Sequence, residues 1–184
     1  GGDNPAAAIS INVIEPGTAF LSLGTSGVYF VASDAFKINP KSGVHSFCHC
    51  LPNRWHHMTV HLSAASCLSW FAKTMSCPEA ELLQEVENTP QTKNNLLFLP
   101  YLSGERSPHN NPHARGVFFG LSHQTTRAEM TRAILEGVAY AFSEGQDAML
   151  AADIAINQVY VVGGGAQSLY WGKILASVLN LSLI

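Results

Sequence analysis

The sequence predicts a mixed α/β domain, in which paired strands come first and strands alternate with helices afterwards. Two hairpin patterns lie in the first third of the chain. A long amphipathic helix, a buried strand and a glycine-rich turn follow one another in the last third. This order is typical of a mixed sheet with helices packed on it. Of the 184 residues 47% are hydrophobic, which is enough for the chain to bury a core of its own.

The first half of the chain begins with a short helix and continues with hairpins. Asn4 suits the N-cap of this helix, and Pro5 suits its first position. Residues 20–33 predict two strands around the turn of residues 24–27. The other elements of this half are a second strand pair and two helices, expected over residues 45–50, 54–61, 63–75 and 78–87.

The second half is organised around a long helix. Residues 126–129 form a capping box, and the apolar residues behind it recur every four positions on one helix face, which reaches about Ala152. Gly137 and Gly145 lie inside this helix and leave room for another backbone to come close. The remaining elements are a short buried strand, a polar loop, a second buried strand, a helix and the start of a strand, expected over residues 96–102, 105–115, 159–162, 167–179 and 181–184.

Charge and composition exclude several classes of protein. The net charge is −3 with 10 Lys and Arg residues, which provides no basic surface for a nucleic acid. No apolar run approaches the roughly 20 residues that span a bilayer, so we expect no membrane segment. Only 12% of the residues are charged, about half the usual share, and we therefore expect part of the chain's surface to be covered.

A glycine-rich turn follows the buried strand near the end of the chain. Gly163, Gly165 and Ser168 take the positions of the three glycines in a dinucleotide-binding fingerprint. Ser168 replaces the third glycine, and no acidic residue follows Asp153, so the acid that would hold a ribose hydroxyl is missing. A nucleotide could still lie flat against the backbone of this turn. The alternative is an ordinary tight connection between a strand and a helix.

The turn of the first hairpin has the sequence Gly24-Thr25-Ser26-Gly27. Two small hydroxyl residues between glycines expose backbone N–H groups and side-chain hydroxyls together, and such groups bind phosphate oxygens without a lysine. The alternative is a hairpin turn that binds no ligand.

Asp3 lies just ahead of the first predicted helix, beside glycines that allow a substrate to come close. A carboxylate here can accept the proton of a sugar hydroxyl as that hydroxyl attacks phosphorus. It can equally cap the helix, because the helix dipole stabilises negative charge at this end.

Histidines and cysteines are concentrated between positions 45 and 61. The group consists of His45, Cys48, His49, Cys50, His56, His57 and His61. Their spacing matches no standard zinc site, and residues on paired strands alternate between faces, so the sequence favours packed hairpin side chains over a metal site. The four cysteines of the chain form no CxxC pair and fit a reducing compartment.

Five segments occur in an order that resembles the FGGY family of carbohydrate kinases. They are GGDN at 1–4, LSLGTSG at 21–27, FLPYLSGERSP at 98–108, GVFFGL at 116–121 and GGGA at 163–166. The resemblance extends over essentially the whole chain, and residues 116–136 match the second signature of the family throughout. Residues 45–49 and 104–112 resemble the branch that phosphorylates D-xylulose more than the branch that phosphorylates glycerol.

This resemblance implies a fold, a domain organisation and an activity. The family has two domains of the actin-like ATPase, or ribonuclease-H-like, fold, with the active site in the cleft between them. Residues 1–16 resemble the end of the inter-domain helical region, and residues 17–184 resemble a C-terminal nucleotide-binding domain that stops before its end. The expected reaction is ATP-dependent phosphorylation of D-xylulose to D-xylulose 5-phosphate. The chain is expected to be inactive without the N-terminal domain of the same protein.

The same resemblance assigns roles to individual residues. Asp3 would be the general base, and Thr25, with Gly24 and Ser26, would bind the phosphates of ATP. The other nucleotide contacts would come from residues that line the cleft or pack against the adenosine: Gly116, Gly120, Gly164, Gly165, Ala166 and Gln167. Mg²⁺ would be held mainly by phosphates, water and carboxylates of the missing domain, with no metal ligand in this chain.

Alternatives to a D-xylulose kinase stay open at this point. The chain could belong to a kinase of the same family for another sugar or polyol, to a non-catalytic actin-like module that binds a nucleotide, or to an interaction domain with a vestigial cleft. The resemblance also favours a homodimer. The absence of a visible targeting signal, the free cysteines and the dependence on ATP favour the cytoplasm.

Overall fold

The computed structural model describes residues 2–90 and 95–184 and confirms the mixed α/β architecture. A five-stranded sheet carries the main helices, and two short strands form a separate hairpin. In chain order the elements are α1 Asp3–Ser10, β1 Thr18–Leu23, β2 Gly27–Ser33, β3 His45–Cys48, β4 Trp55–His61, α2 Ala65–Met75, α3 Glu79–Asn88, β5 Leu97–Leu99, β6 Val117–Phe119, α4 Arg127–Leu150, β7 Gln158–Val162 and α5 Leu169–Leu179. A 3-10 turn, Gly164–Gln167, joins β7 to α5.

The large sheet has the strand order β3-β4-β2-β1-β7. Its first four strands pair antiparallel, as consecutive hairpins predict, whereas β7 runs parallel to β1. Parallel strands end at the same edge of a sheet, and the register pairs Ser22 with Val162. The turns that follow β1 and β7 therefore lie side by side.

The main core lies between one face of this sheet and α4. Ile134, Val138 and Phe142 are almost completely buried, as the four-residue periodicity of the sequence predicts. Each such side chain contributes about 1.5–3 kcal/mol when it leaves water. Trp171 of α5 is also fully buried, and its Nε1–H donates to the carbonyl of Leu135 at 3.1 Å, which fixes α5 against α4.

Two glycines of α4 allow close packing, in different ways. A Cβ on Gly137 would overlap the carbonyl oxygen of Phe98, so the prediction that a second backbone comes close is confirmed at this position. At Gly145 the prediction is wrong, because this glycine faces side chains of β4. A Cβ there would lie 2.5 Å from Oγ1 of Thr59 and 3.0 Å from Nε2 of His61.

Helix α1 begins earlier than the sequence predicts. Gly2 is its N-cap and Asp3 its first residue, so the prediction of Asn4 as N-cap is wrong. The Asp3 carboxylate accepts the backbone N–H of the next residue, Asn4, at 2.9 Å, and no side chain caps the helix. Ala8 of α1 belongs to a smaller core with Phe20 and Phe30. Gly1, one of the glycines beside Asp3, lies outside the described residues.

Three further elements refine the sequence prediction. Residues 117–119 form β6, which pairs with β5 and is too short to show an alternation pattern. Helix α5 begins at Leu169 rather than at position 167, because the Ser168 side chain accepts the N–H of Trp171 at 3.2 Å as an N-cap. Residues 181–184, expected to start a strand, lie beside β7 through a bridge between Val159 and Leu183. Within the described ranges, every helix is too short or too polar to cross a bilayer.

Candidate functional site

Two glycine-rich turns meet at the ends of β1 and β7. Gly163 has a φ of +96°, and a Cβ on it would lie 2.8 Å from the carbonyl carbon of Leu23. A Cβ on Gly165 would lie 2.6 Å from Cδ2 of the same leucine. Glycine is required at both positions because the turn after β7 packs closely on Leu23, against its backbone at Gly163 and against its side chain at Gly165.

The turn of residues 24–27 is anchored to the start of α2. Backbone N–H groups of Ala64 and Ala65 donate to the carbonyls of Thr25 and Gly24 at 3.0 and 2.8 Å. The carbonyls of the turn are thus held by the helix, while the side chains of Thr25 and Ser26 are exposed. The turn keeps its hydroxyls accessible because its carbonyls are bound on the protein side.

A cleft of about 970 Å³ opens between the two turns and helices α2, α3 and α5. This volume is at the upper end of the range for small-molecule sites. The residues predicted from the sequence that line it are Gly24, Thr25, Gly164, Gly165 and Gln167. The structure therefore brings both predicted glycine turns to one cleft, although about 140 residues separate them in the chain.

The other predicted site residues lie outside the lining of this cleft. Ser26 and Ala166 are next to lining residues in the sequence. Gly116 and Gly120 belong to the β5–β6 region, where a Cβ on Gly120 would lie 2.6 Å from the carbonyl oxygen of Asn95. In the structure these two glycines pack closely against neighbouring residues of the same chain. Their contact with a nucleotide stays a prediction.

Asp3 is exposed in the first turn of α1 and outside the cleft. Its carboxylate accepts the N–H of the next residue, Asn4, but Gly2 is the N-cap and the helix has no side-chain cap bond, so the capping interpretation is wrong. The side chain is exposed and accessible to a substrate from outside this chain, and its role as a base stays a prediction.

Sequence reasoning missed the wall of the cleft that α2 and α3 contribute. The polar lining residues of these helices are Ser66, Ser69, Glu79, Gln84 and Glu87. They occupy the polar sides of two amphipathic helices, so no local pattern distinguishes them from residues that face water.

Arg132 of α4 holds the walls of the cleft together. This buried side chain donates from Nε to the hydroxyl of Tyr170, a lining residue on α5, at 3.1 Å. Its Nη2 donates to the carbonyls of Val86 and Thr89 at the end of α3, at 3.4 and 3.1 Å. A guanidinium supplies several donors in a rigid plane, and one side chain therefore fixes the separation of α3 and α5.

The histidine-rich hairpin lies apart from this cleft. The rings of His49 and His56 pack around Phe30, with 4.7 Å between the centroids of His56 and Phe30. Burial lowers the pKa of both histidines, that of His56 to about 4. In residues 2–90 and 95–184, no group of three or more His, Cys, Asp or Glu side chains is placed to hold a metal ion.

The chain is similar to a defined protein family and to curated sequences over almost its whole length. Residues 19–184 match the model of the FGGY family of carbohydrate kinases, C-terminal domain. The xylulose kinase of Escherichia coli strain K12 is 51% identical over 179 residues, which are 97% of this chain and 37% of that protein. The xylulose kinase of Klebsiella pneumoniae is 50% identical over 100% of this chain and 38% of that protein. The chain thus spans less than two-fifths of the relatives it matches.

Solved structures agree with these sequence matches. A crystal structure of a xyloylose kinase from Brucella ovis superposes with a TM-score of 0.95 at 46% identity, over 99% of this chain and 38% of that one. Plasmodium falciparum glycerol kinase with ADP superposes with a TM-score of 0.88 at 20% identity, over 99% of this chain and 37% of that one. The second likeness concerns the fold alone.

Proposed function

The chain belongs to the FGGY family of carbohydrate kinases, and from this premise we propose that it is the nucleotide-binding part of an enzyme that phosphorylates D-xylulose with ATP. The products are D-xylulose 5-phosphate and ADP. The observation that carries the proposal is the meeting of two glycine-rich turns at one cleft of about 970 Å³. A surface of exposed backbone and small hydroxyls is suited to phosphates and to a flat nucleoside.

The choice of D-xylulose rests on the relatives. Two curated proteins at 51% and 50% identity over at least 97% of this chain are xylulose kinases. Because the chain covers less than two-fifths of their length, we propose that a further N-terminal domain of the same protein supplies most sugar contacts. In this proposal residues 1–16 end the inter-domain region, and residues 17–184 form the C-terminal domain.

The two turns would divide the binding of ATP between them. Thr25, together with Gly24 and Ser26, would hold the phosphates through hydroxyls and backbone N–H groups. Gly164, Gly165 and Ala166 would lie against the adenosine, because residues with little or no side chain let a flat ring system approach the backbone; Gln167 would lie beside it. Gly116 and Gly120 would border the nucleotide from the β5–β6 side.

Asp3 would act as the general base of the transfer. The sugar hydroxyl gives its proton to the Asp3 carboxylate as its oxygen forms a bond to the γ-phosphorus of ATP. The bond between that phosphorus and the bridging oxygen breaks at the same time, and ADP leaves with the electron pair. Positioning and charge stabilisation account for most of the rate of such a transfer, which is why rigidly held turns matter here.

Mg²⁺ is the metal we expect with ATP, since it neutralises charge on the phosphates. The part of the chain that the structure describes has no cluster of three or more His, Cys, Asp or Glu placed to bind a metal. We propose that phosphates, water and carboxylates of the N-terminal domain hold the ion, with no ligand from this chain. We also propose a homodimer in the cytoplasm, which sedimentation and fractionation of the full-length protein would test.

The test is ADP release by the full-length protein that carries this chain. With Mg-ATP we expect a clear preference for D-xylulose over L-xylulose, D-ribulose, L-ribulose, glycerol and gluconate. Asp3→Asn should lower kcat by about 10²–10⁴-fold, the usual contribution of a general base, and leave ATP binding nearly unchanged. Preference for another sugar would move the substrate to a different branch of the family. ATP binding without any sugar-stimulated ADP release would leave a nucleotide-binding module.

A further inference from the structure

A buried carboxylate–imidazole pair lies next to the turn of residues 24–27. His61 is the last residue of β4, and Glu105 lies in the loop between β5 and β6. Their side chains are 2% and 1% exposed, and Nδ1 of His61 is 3.6 Å from Oε2 of Glu105. Burying such groups costs free energy unless hydrogen bonds compensate, so the partners of the carboxylate indicate what it does.

Glu105 binds two separate stretches of backbone through one oxygen. Its Oε1 accepts the N–H of Arg106, in its own loop, at 2.7 Å. The same oxygen accepts the N–H of Leu62, the residue after β4, at 3.1 Å. Hydrogen bonds to a carboxylate are shorter and stronger than those between neutral groups. Glu105 therefore fixes the chain where it leaves β4.

The segment that Glu105 fixes leads directly to the turn. Ala64 and Ala65 follow Leu62 after one residue, and their N–H groups hold the carbonyls of Thr25 and Gly24. At the other end, His61 pairs with Gly27 in the register of β4 and β2. Residues 61–65 are thus held by Glu105 and in turn hold both sides of the turn.

The interior behind this segment is closely packed around His61 and Gly27. The ring of Phe142 stands edge-on to His61, with 4.9 Å between the ring centroids. A Cβ on Gly145 would lie 3.0 Å from Nε2 of His61, and a Cβ on Gly27 would lie 2.7 Å from Phe142. Close-packed interiors transmit a displacement to their neighbours, so a change at Glu105 reaches the turn.

We propose that Glu105 is a positioning residue for the phosphates of ATP, which acts through residues 62–65 on the turn that carries Thr25 and Ser26. This inference rests on the proposed function. Glu105 is one of the residues of the GERSPHNNP loop, and its role is to set the geometry of the turn without touching the substrate.

The test compares two matched substitutions in the full-length protein. Glu105→Gln keeps the volume of the side chain and one acceptor oxygen but removes the charge. We expect kcat/KM for ATP to fall by about tenfold to a hundredfold, the scale that a small misplacement of reacting groups costs. KM for D-xylulose at saturating ATP should stay within roughly twofold, because the change reaches the nucleotide rather than the sugar.

Glu144→Gln is the matched control. Glu144 on α4 also pairs with a histidine of the same loop, since its Oε2 is 2.9 Å from Nε2 of His109, but this pair is exposed and far in sequence from residues 61–65. We expect its kinetic constants to equal those of the unmodified enzyme. If Glu105→Gln is insoluble, His61→Gln replaces it in the experiment, and we expect its kcat/KM for ATP to fall as well.

Two results would overturn the proposal. Unchanged kcat/KM for ATP in Glu105→Gln would exclude a positioning role. An equal weakening of the KM values for ATP and for D-xylulose, together with a lower melting temperature, would show a purely structural role. A failure of the proposed function would be a different result, in which the unmodified protein releases no ADP with any sugar. In that case the affinities of Glu105→Gln and Glu144→Gln for ATP would be compared instead, and equal affinities would overturn the proposal.

Discussion

Gly163 and Gly164 are neighbours in one turn, yet different constraints act on them. Gly163 has a φ of +96°, which L side chains rarely adopt, and its missing Cβ would collide with the carbonyl of Leu23 at 2.8 Å. Gly164 has no such backbone angle, and nothing lies within 4 Å of its missing Cβ. A side chain at position 163 would therefore destabilise the fold, whereas one at position 164 would only take up space in the cleft.

This difference predicts opposite phenotypes for two alanine substitutions. Gly163→Ala should lower the free energy of unfolding by about 1–3 kcal/mol, because the backbone is strained and the contact with Leu23 must open. Gly164→Ala should leave stability near that of the unmodified protein and weaken ATP binding, because its methyl group fills space that the nucleotide needs. Urea unfolding and ATP titration of the full-length protein measure the two effects. Unchanged ATP affinity in Gly164→Ala would remove this residue from the nucleotide site.

At the scale of residues, the sequence predicted those lining residues of the cleft that belong to the glycine-rich turns after β1 and β7. Gly24, Thr25 and Gly165 stand out because glycines and small hydroxyls at strand ends can expose backbone N–H groups and hydroxyls to phosphate oxygens. Glu87 on α3 and Arg132 on α4 have common residue types for a helix. Their place at the cleft depends on how the helices pack, and a single sequence carries no signal for that.

Among the elements, the β3–β4 hairpin has a property that depends on pH. His56 is 3% exposed and stacks on Phe30. Burial, followed by the charges of His49 and His57, lowers its pKa from 6.5 to about 4. Between these two pH values the unfolded chain binds a proton that the folded chain does not bind. The free energy of unfolding therefore falls as the pH drops through this window.

Replacement of His56 by phenylalanine tests this pH dependence. His56→Phe keeps a ring stacked on Phe30 and removes the group that takes up the proton. We expect the loss of stability between pH 6.5 and about 4 to become shallower than in the unmodified chain. Urea unfolding at steps across this range is the measurement, with His113→Gln, an exposed histidine, as the control. If the free energy of unfolding of His56→Phe fell equally steeply with decreasing pH, groups other than His56 would account for the pH dependence.

The elements that the sequence predicted are those with a repeating pattern or a cap. The capping box of Thr126 and Glu129 is present at the start of α4, and Ile134, Val138 and Phe142 behind it are buried, whereas Met130 is half-buried. Strand β6 has only three residues, so neither alternation nor flanking turns identify it. The start of α1 was misjudged because the N-cap is Gly2, which has no side chain and therefore lacks the residue type that indicates a cap.

For the whole molecule, the decisive contact is the parallel pairing of β1 with β7. Composition and local pattern predicted a mixed sheet, but they do not say which strands are neighbours. This pairing joins residues 18–22 to residues 158–162 and thereby creates the cleft. Such pairing joins segments far apart in the chain, so no local sequence pattern indicates it and only the assembled fold shows it.

The same view of the whole molecule predicts how the chain behaves by itself. Leu169 lines the cleft and is 80% exposed, and only 12% of the residues are charged, so an apolar border of the cleft stands open to water. Phosphoryl transfer needs a closed site, because water would otherwise compete with the sugar for the phosphoryl group. We expect the 184-residue chain to give no ADP release above background with Mg-ATP and D-xylulose, at concentrations where the full-length protein turns over. A coupled ADP assay on both proteins is the measurement, with the Asp3→Asn full-length variant as the inactive reference. Sugar-dependent turnover by the chain alone would mean that it contains its own sugar site, and the N-terminal domain would then be dispensable for the chemistry.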